Sequence, residues 1–216
     1  MLGSNAIKAA DIVGKNVTWG VKSKSQSPRH FNGFVSRFYA GDEDKKGRRN
    51  YRAEVVPWLW FLTRTADCRI FQDKSVPEII EQIFSDLGFS DFEKSQVQGS
   101  HPKRTYCAQY RETDFNFVSR LMEEEGIFYF FKHQDGKHIL ALGDQKGAYV
   151  DCAEKEVDYP TDYGTGTIDD FLTKWEHHYQ FRTGKWAQTD YNFDQHPARN
   201  EQTPSKLLLT QKQTQL

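Results

Sequence analysis

The stretch that decides the fold is CAQYRETDFNFVSRLMEEEGIFYFF, residues 107–131. It places three consecutive glutamates, Glu123, Glu124 and Glu125, between two aromatic-rich runs. Two readings compete: acid/base machinery, or a helix that hands its chain into a strand. Thr113 and Asp114 are N-cap residue types, Phe115, Val118, Leu121 and Met122 make a helical stripe, and Gly126 supplies the stop. IFYFF, residues 127–131, then begins a strand. Neighbours on a helix point about 100° apart, so adjacent carboxylates cannot converge on one substrate. A glycosidase pair must instead face across a bond at about 5 or about 6.5–9.5 Å. The triplet therefore reads as solvated last-turn carboxylates, mildly unfavourable at the negative end of the helix dipole.

On either side the signals are again structural. SVPEIIEQIFSDLGF, residues 75–89, offers Ser75 as N-cap, Glu78 three residues on as a capping box, Pro77 in the first turn and Gly88 as a stop. Val76, Ile79, Ile80, Ile83, Phe84 and Leu87 draw one apolar stripe along that helix, which reads as core packing. Beyond the glutamates, Asp135-Gly136 separates two β-favouring runs, the signature of a hairpin. His133 and His138 flank the turn and face each other across it, but no third ligand lies nearby, and both read as surface residues instead of a metal pair. His177 and His178 point to opposite faces if they sit in a strand.

Towards the N-terminus, Asn16–Val21 and Phe31–Tyr39 read as strands separated by the polar loop KSKSQSPRH. Residues 41–50, GDEDKKGRRN, form a second loop, and Tyr51, Ala53 and Val55 alternate before the apolar run Trp58 to Leu62. Pro57 argues for an edge position or a bulge. The basic residues Lys45, Lys46, Arg48 and Arg49 sit beside Asp42, Glu43 and Asp44, so a solvated hairpin tip is the better reading than a nucleic-acid patch.

The 216 residues suffice for one large domain or two smaller ones, burying roughly 70% of the unfolded surface. Aromatics make up 14% of the chain, so the core rests on rings more than on aliphatics, which favours sheet. A formal charge of −1 gives no field for nucleic acid or anionic membrane. Cys68, Cys107 and Cys152 are odd in number and widely spaced, which fits a reducing compartment better than a disulfide framework or CxxC metal site. No apolar run approaches the roughly 20 residues that span a bilayer, and the start MLGSNAIKAADIVG lacks the pattern of a Sec signal peptide. There is no GxSxG, GxGxxG or GxxxxGK[ST]. No catalytic, cofactor-binding or metal-ligating residue is assigned, and no enzyme activity or small-molecule substrate is expected. Strand-like alternation resumes with Trp175, Tyr179, Phe181 and Trp186 before a Gln/Thr-rich tail.

Four blocks carry a resemblance beyond these signals: FNGFVSRF at 31–38, VVPWLWFLTRTADCRIFQDKSVPEII at 55–80, YCAQYRETDFNFVSRLMEEEGIFYFF at 106–131 and DYNF at 190–193. In order and spacing, from about Ile12 to Phe193, they resemble the tail-hub region of the VgrG family, the spike proteins of type VI secretion systems. The glutamate triplet belongs to the RLMEEEGIFYFF block and so looks like part of the hub fold.

The resemblance implies a β-rich α+β fold like the hub of a contractile phage tail, with barrel-like tube modules and an inserted helix-containing module. The expected division is a first tube-like module at 1–66 without the family's earliest strands, an inserted α+β region at 67–165, and the start of a second tube-like module with a polar tail at 166–216. It further implies a homotrimer when full length, seated on the Hcp tube hexamer, with effectors or adaptors and baseplate proteins as partners. The implied location is the bacterial cytoplasm before firing, then secretion by the apparatus. Family members continue into a small barrel and a β-helical needle, so the chain is expected to be a hub fragment or a truncated gene product. A baseplate or tail-hub protein of a phage or related injection particle is the alternative, and a peptidoglycan hydrolase a weaker one.

Overall fold

In the computed structural model, which describes residues 2–3, 7–22, 28–151 and 174–181, the N-terminal part builds an antiparallel sheet of four strands. These are β1 (Leu2–Gly3), β2 (Asn16–Val21), β3 (Arg29–Glu43) and β4 (Arg49–Val56), in the order β1-β4-β3-β2, with the short helix α1 (Ala9–Ile12) between the first two in sequence. The loop expected at 41–50 is tighter than its composition implies, because the strands run on to Glu43 and resume at Arg49. Asp44 closes the turn by accepting the Lys46 and Arg48 backbone N–H groups at 2.8 Å each, while Arg48 pairs with Asp44 at 2.8 Å and Arg49 with Glu43 at 3.6 Å. The basic cluster is thus half neutralised locally, as a hairpin tip.

Pro57 marks a departure from expectation. It lies at neither an edge nor a bulge but ends β4 and precedes a 3-10 helix, Trp58–Thr63, that buries Trp58, Leu59 and Leu62. A proline has no N–H to extend a ladder yet is well suited to a helix start, so the run after it coils inward.

The chain continues through β5 (Ala66–Phe71), α2 (Val76–Asp86), β6 (Phe92–Gln96), β7 (Cys107–Thr113), α3 (Asp114–Glu125), β8 (Phe128–Gln134) and β9 (Lys137–Gly143). β5 and β7 form an antiparallel pair, and a three-stranded sheet has the order β6-β9-β8, with β6 parallel to β9. The start of α2 carries the reach-back half of its capping box: Glu78 Oε2 accepts from the Ser75 N–H at 2.7 Å and the Ser75 hydroxyl at 2.9 Å. In α3 the Thr113 hydroxyl accepts the Asn116 N–H at 3.2 Å, and Gly126 takes the left-handed conformation at φ 69°, letting the Ile127 N–H reach Met122 O at 2.8 Å.

One core joins these elements. Val76, Ile79, Ile80, Ile83 and Phe84 of α2 meet Phe117, Val118, Leu121 and Met122 of α3, with Trp58 and Leu62 of the 3-10 helix and Leu140 and Leu142 of β9. The α3 stripe includes Phe117, fully buried, where Phe115 is only half-buried. The rings interlock, Trp58 lying edge-on to Phe84 at 4.9 Å and stacked on Phe89 at 4.7 Å. Met1–Phe171 make up one packing unit and Leu172–Leu216 another. In the second, residues 174–181 form neither helix nor strand, so the expected alternation there finds no ladder among the described residues. Cys152, the return near Ile168, Trp186, DYNF and the polar tail lie outside the described residues.

Candidate functional site: the charged helix end and the histidine seam

The glutamates at the end of α3 do not act as a set. Glu123 is exposed, with no ion pair among the described residues. Glu124 accepts from Arg104 Nη1 at 2.7 Å and Arg120 Nη1 at 3.2 Å. Glu125, only 16% exposed, accepts from Arg104 Nη2 at 2.7 Å and faces His101 Nδ1 at 2.9 Å. The expectation of simply solvated carboxylates is therefore corrected for Glu124 and Glu125: the cations of the loop between β6 and β7 come to them. These partners also offset the helix dipole that the triplet opposes.

His101 is held between two carboxylates. Its Nε2 lies 3.0 Å from Asp144 Oδ2, and Asp144 also accepts the backbone N–H groups of Gln98 at 3.1 Å and Gly99 at 2.6 Å. Burial pushes the His101 pKa down, but the hydrogen bonds to Glu125 and Asp144 outweigh it and raise the value above its usual one. Burial likewise lifts Asp144, and its bonds from His101, Gln98 and Gly99 prevail to hold it low. Glu125 is lowered first by His101 and then by Arg104. When the ring is protonated, both of its N–H groups are engaged by carboxylates and it has no lone pair to act as a base or a ligand. It clamps the 97–104 loop to the end of α3 and the end of β9.

A second polar cluster lies under the β8–β9 hairpin. His133 and His138 are directly opposite in register with ring centroids 5.9 Å apart, as the hairpin pattern predicts. His133 is exposed, but His138 is 2% exposed, which corrects its reading as a surface residue. Its Nε2 accepts the Trp58 N–H at 2.9 Å and its Nδ1 meets Asn32 Oδ1 at 2.7 Å, so the proton resides on Nδ1. Asn32, also buried, donates its backbone N–H to His133 Nδ1 at 3.1 Å and its side-chain amide to Asn16 Oδ1 and Thr18 Oγ1 at 2.7 Å each. Burial, then the neighbouring His133, depress the His138 pKa against a smaller opposing pull from Asp91.

Asp114, which reads from sequence as a capping residue, is buried and bonded to Arg69 Nη2 and Gln109 Nε2 at 2.8 Å each, tying β5 and β7 to α3. His177 accepts from Trp175 Nε1 at 3.0 Å and is exposed, as is its neighbour His178. Sequence reasoning missed His101, Arg104, Asp144 and Arg69 because their partners are distant in the chain. Asn32 alone left a trace, as a polar residue between Phe31 and Gly33 in an apolar strand.

His101, Arg104, Glu125, Asp144, His138, Asn32 and Asp114 each bond across elements that are distant in the chain. The chain belongs to the phage tail baseplate hub (GPD) family, whose model matches residues 1–215. The Pseudomonas aeruginosa type VI secretion system spike protein VgrG1c is 41% identical over 204 residues, covering 93% of this chain and 28% of that protein. VgrG1b of the same organism is 40% identical over 195 residues, covering 88% of this chain and 26% of that protein. The chain thus spans about a quarter of the length of these relatives. Among solved structures, an Escherichia coli type VI secretion component described as similar to the T4 bacteriophage tail proteins gp27 and gp5 superposes with a TM-score of 0.65. It shares 23% identity and covers 74% of this chain and 44% of that one, a likeness of fold.

Proposed function

We propose that this chain is the structural hub of a type VI secretion spike, linking the Hcp tube to the puncturing needle and helping to deliver effectors. The observation that carries this reading is the 41% identity to a spike protein across 93% of the chain. In it the four-stranded sheet belongs to a first tube-like module at 1–66, residues 67–165 are the insertion, and 166–216 open a second tube-like module. The full-length protein acts as a homotrimer seated on the Hcp hexamer, with effectors, adaptors and baseplate proteins as further partners. It resides in the cytoplasm before firing and leaves with the apparatus. No helix among the described residues is long and apolar enough to cross a membrane.

The role is non-enzymatic. Its support is the engagement of His101, Glu124 and Glu125 in ion pairs with structural partners among the described residues. The test is deletion of the gene in its own host and complementation with the full-length protein, reading Hcp in the culture supernatant. Loss on deletion and return on complementation are expected. Unchanged Hcp export, with capsid-bearing tails purified from the same cells, would establish the phage-hub alternative, which shares the same family. Peptidoglycan hydrolysis by the protein, abolished by Glu123→Gln, would overturn the non-enzymatic reading.

A further inference from the structure

Four hydrogen bonds among the described residues join the first sheet and the 3-10 helix to the β8–β9 hairpin. Three depend on imidazole nitrogens: Trp58 N–H to His138 Nε2 at 2.9 Å, Asn32 N–H to His133 Nδ1 at 3.1 Å, and His138 Nδ1–H to Asn32 Oδ1 at 2.7 Å. The fourth is the Gly136 N–H to Thr18 Oγ1 at 3.1 Å. We propose that this seam is an acid-sensitive joint, closed while His138 is neutral and opened when that ring takes a second proton.

The reason is the donor and acceptor count at one buried ring. Nδ1–H donates to Asn32 Oδ1 and Nε2 accepts from Trp58, so a proton added at Nε2 sets two N–H donors against each other and breaks the Trp58 link. The groups facing the ring are the His133 imidazole from β8, the Asn32 amide from β3, the Trp58 N–H, and Asp91 from the loop after α2, with Lys137 next to it on β9. Asp91 alone favours the charged ring, and burial outweighs it. A cavity of about 250 Å³ lined by Asn16, Phe34, Trp58, Asp91, Lys137 and His138 gives protons a route to the seam. α2 and α3 contribute no titratable side chain to the hydrogen bonds of this network, so their own backbone bonds are not part of the joint.

The sign follows from the depressed value in the closed seam. An opened His138 titrates near its ordinary value of about 6.5, so closure is fully favoured above that pH and weakens as the pH falls towards the lower closed-state value. Amide exchange of the full chain, followed by NMR and corrected for intrinsic rates, tests it. Protection of the Trp58 and Asn32 amides is expected to fall by up to about tenfold per pH unit below pH ~6.5, one proton's worth, while the Leu87 amide at the end of α2 holds. His138→Gln, which keeps an acceptor but cannot titrate, is expected to abolish that step. Unchanged protection at Trp58, a parallel fall at Leu87, or a full step retained in His138→Gln would each overturn the joint. Where the variant does not fold, the wild-type comparison of Trp58 with Leu87 decides.

Discussion

His101 and Glu125 meet at 2.9 Å although 24 residues separate them, and the contact turns the end of α3 into an anchor for the loop between β6 and β7. With Asp144 on the other ring nitrogen, the bond requires a charged imidazole. Its folded pKa is raised, so this stabilisation is fully present below the unfolded value of about 6.5 and is lost as the pH rises through the folded value. Thermal melts from pH 6 to pH 9 are expected to show the wild type losing its advantage over His101→Gln as the pH rises. An advantage that stays constant across the range would mean that the ring is held by shape alone.

Glu123 and Glu125 are expected to respond differently to the same substitution. Glu123→Gln changes an exposed carboxylate with no ion pair among the described residues, and should alter stability by less than about 0.5 kcal/mol. Glu125→Gln strips charge from the acceptor of Arg104 and His101 and should cost about 1–3 kcal/mol. Urea unfolding of the two variants at pH 6.5 gives the comparison, and equal costs would contradict the division of roles.

Ile83, on α2, is fully buried in the core that α2 shares with α3 and the 3-10 helix. Ile83→Ala is expected to cost about 2–5 kcal/mol, through lost transfer energy and the cavity left behind. A loss under about 0.5 kcal/mol in denaturant titration would show that this face is open and available for docking.

Gly33, on β3, lies against the end of β4. A methyl group there would lie 2.7 Å from Val55 Cγ1 and 2.8 Å from Val56 O, and the second contact is backbone that cannot step aside cheaply. Gly33→Ala should therefore destabilise by about 1–3 kcal/mol, measurable as a drop in the urea midpoint. Gly47→Ala, at the exposed hairpin tip with open space around it, carries only the backbone strain of its φ of 70° and should cost about 1 kcal/mol.

What the amino-acid order determined is what lies within a few residues of chain. The Ser75–Glu78 cap, the α2 stripe, the Gly126 stop and the Asp135-Gly136 turn were all legible, because helix and hairpin signals are set by periodicity and by the φ that a residue tolerates. The same local rules argued against a convergent glutamate site, because adjacent helix positions point apart. Tertiary structure alone decided which charges meet. His101 and Arg104 reach Glu125 across 24 and 21 residues of chain, Asp144 reaches His101 across 43, and Asn32 reaches His138 across 106. Pro57 was misread for a related reason: a strand edge and a helix start make the same local demand, a missing N–H, and only the core that receives Trp58 and Leu62 distinguishes them. Ionic and buried polar contacts depend on distance and desolvation, which exist only once the chain is folded, so a sequence shows the groups but not their partners.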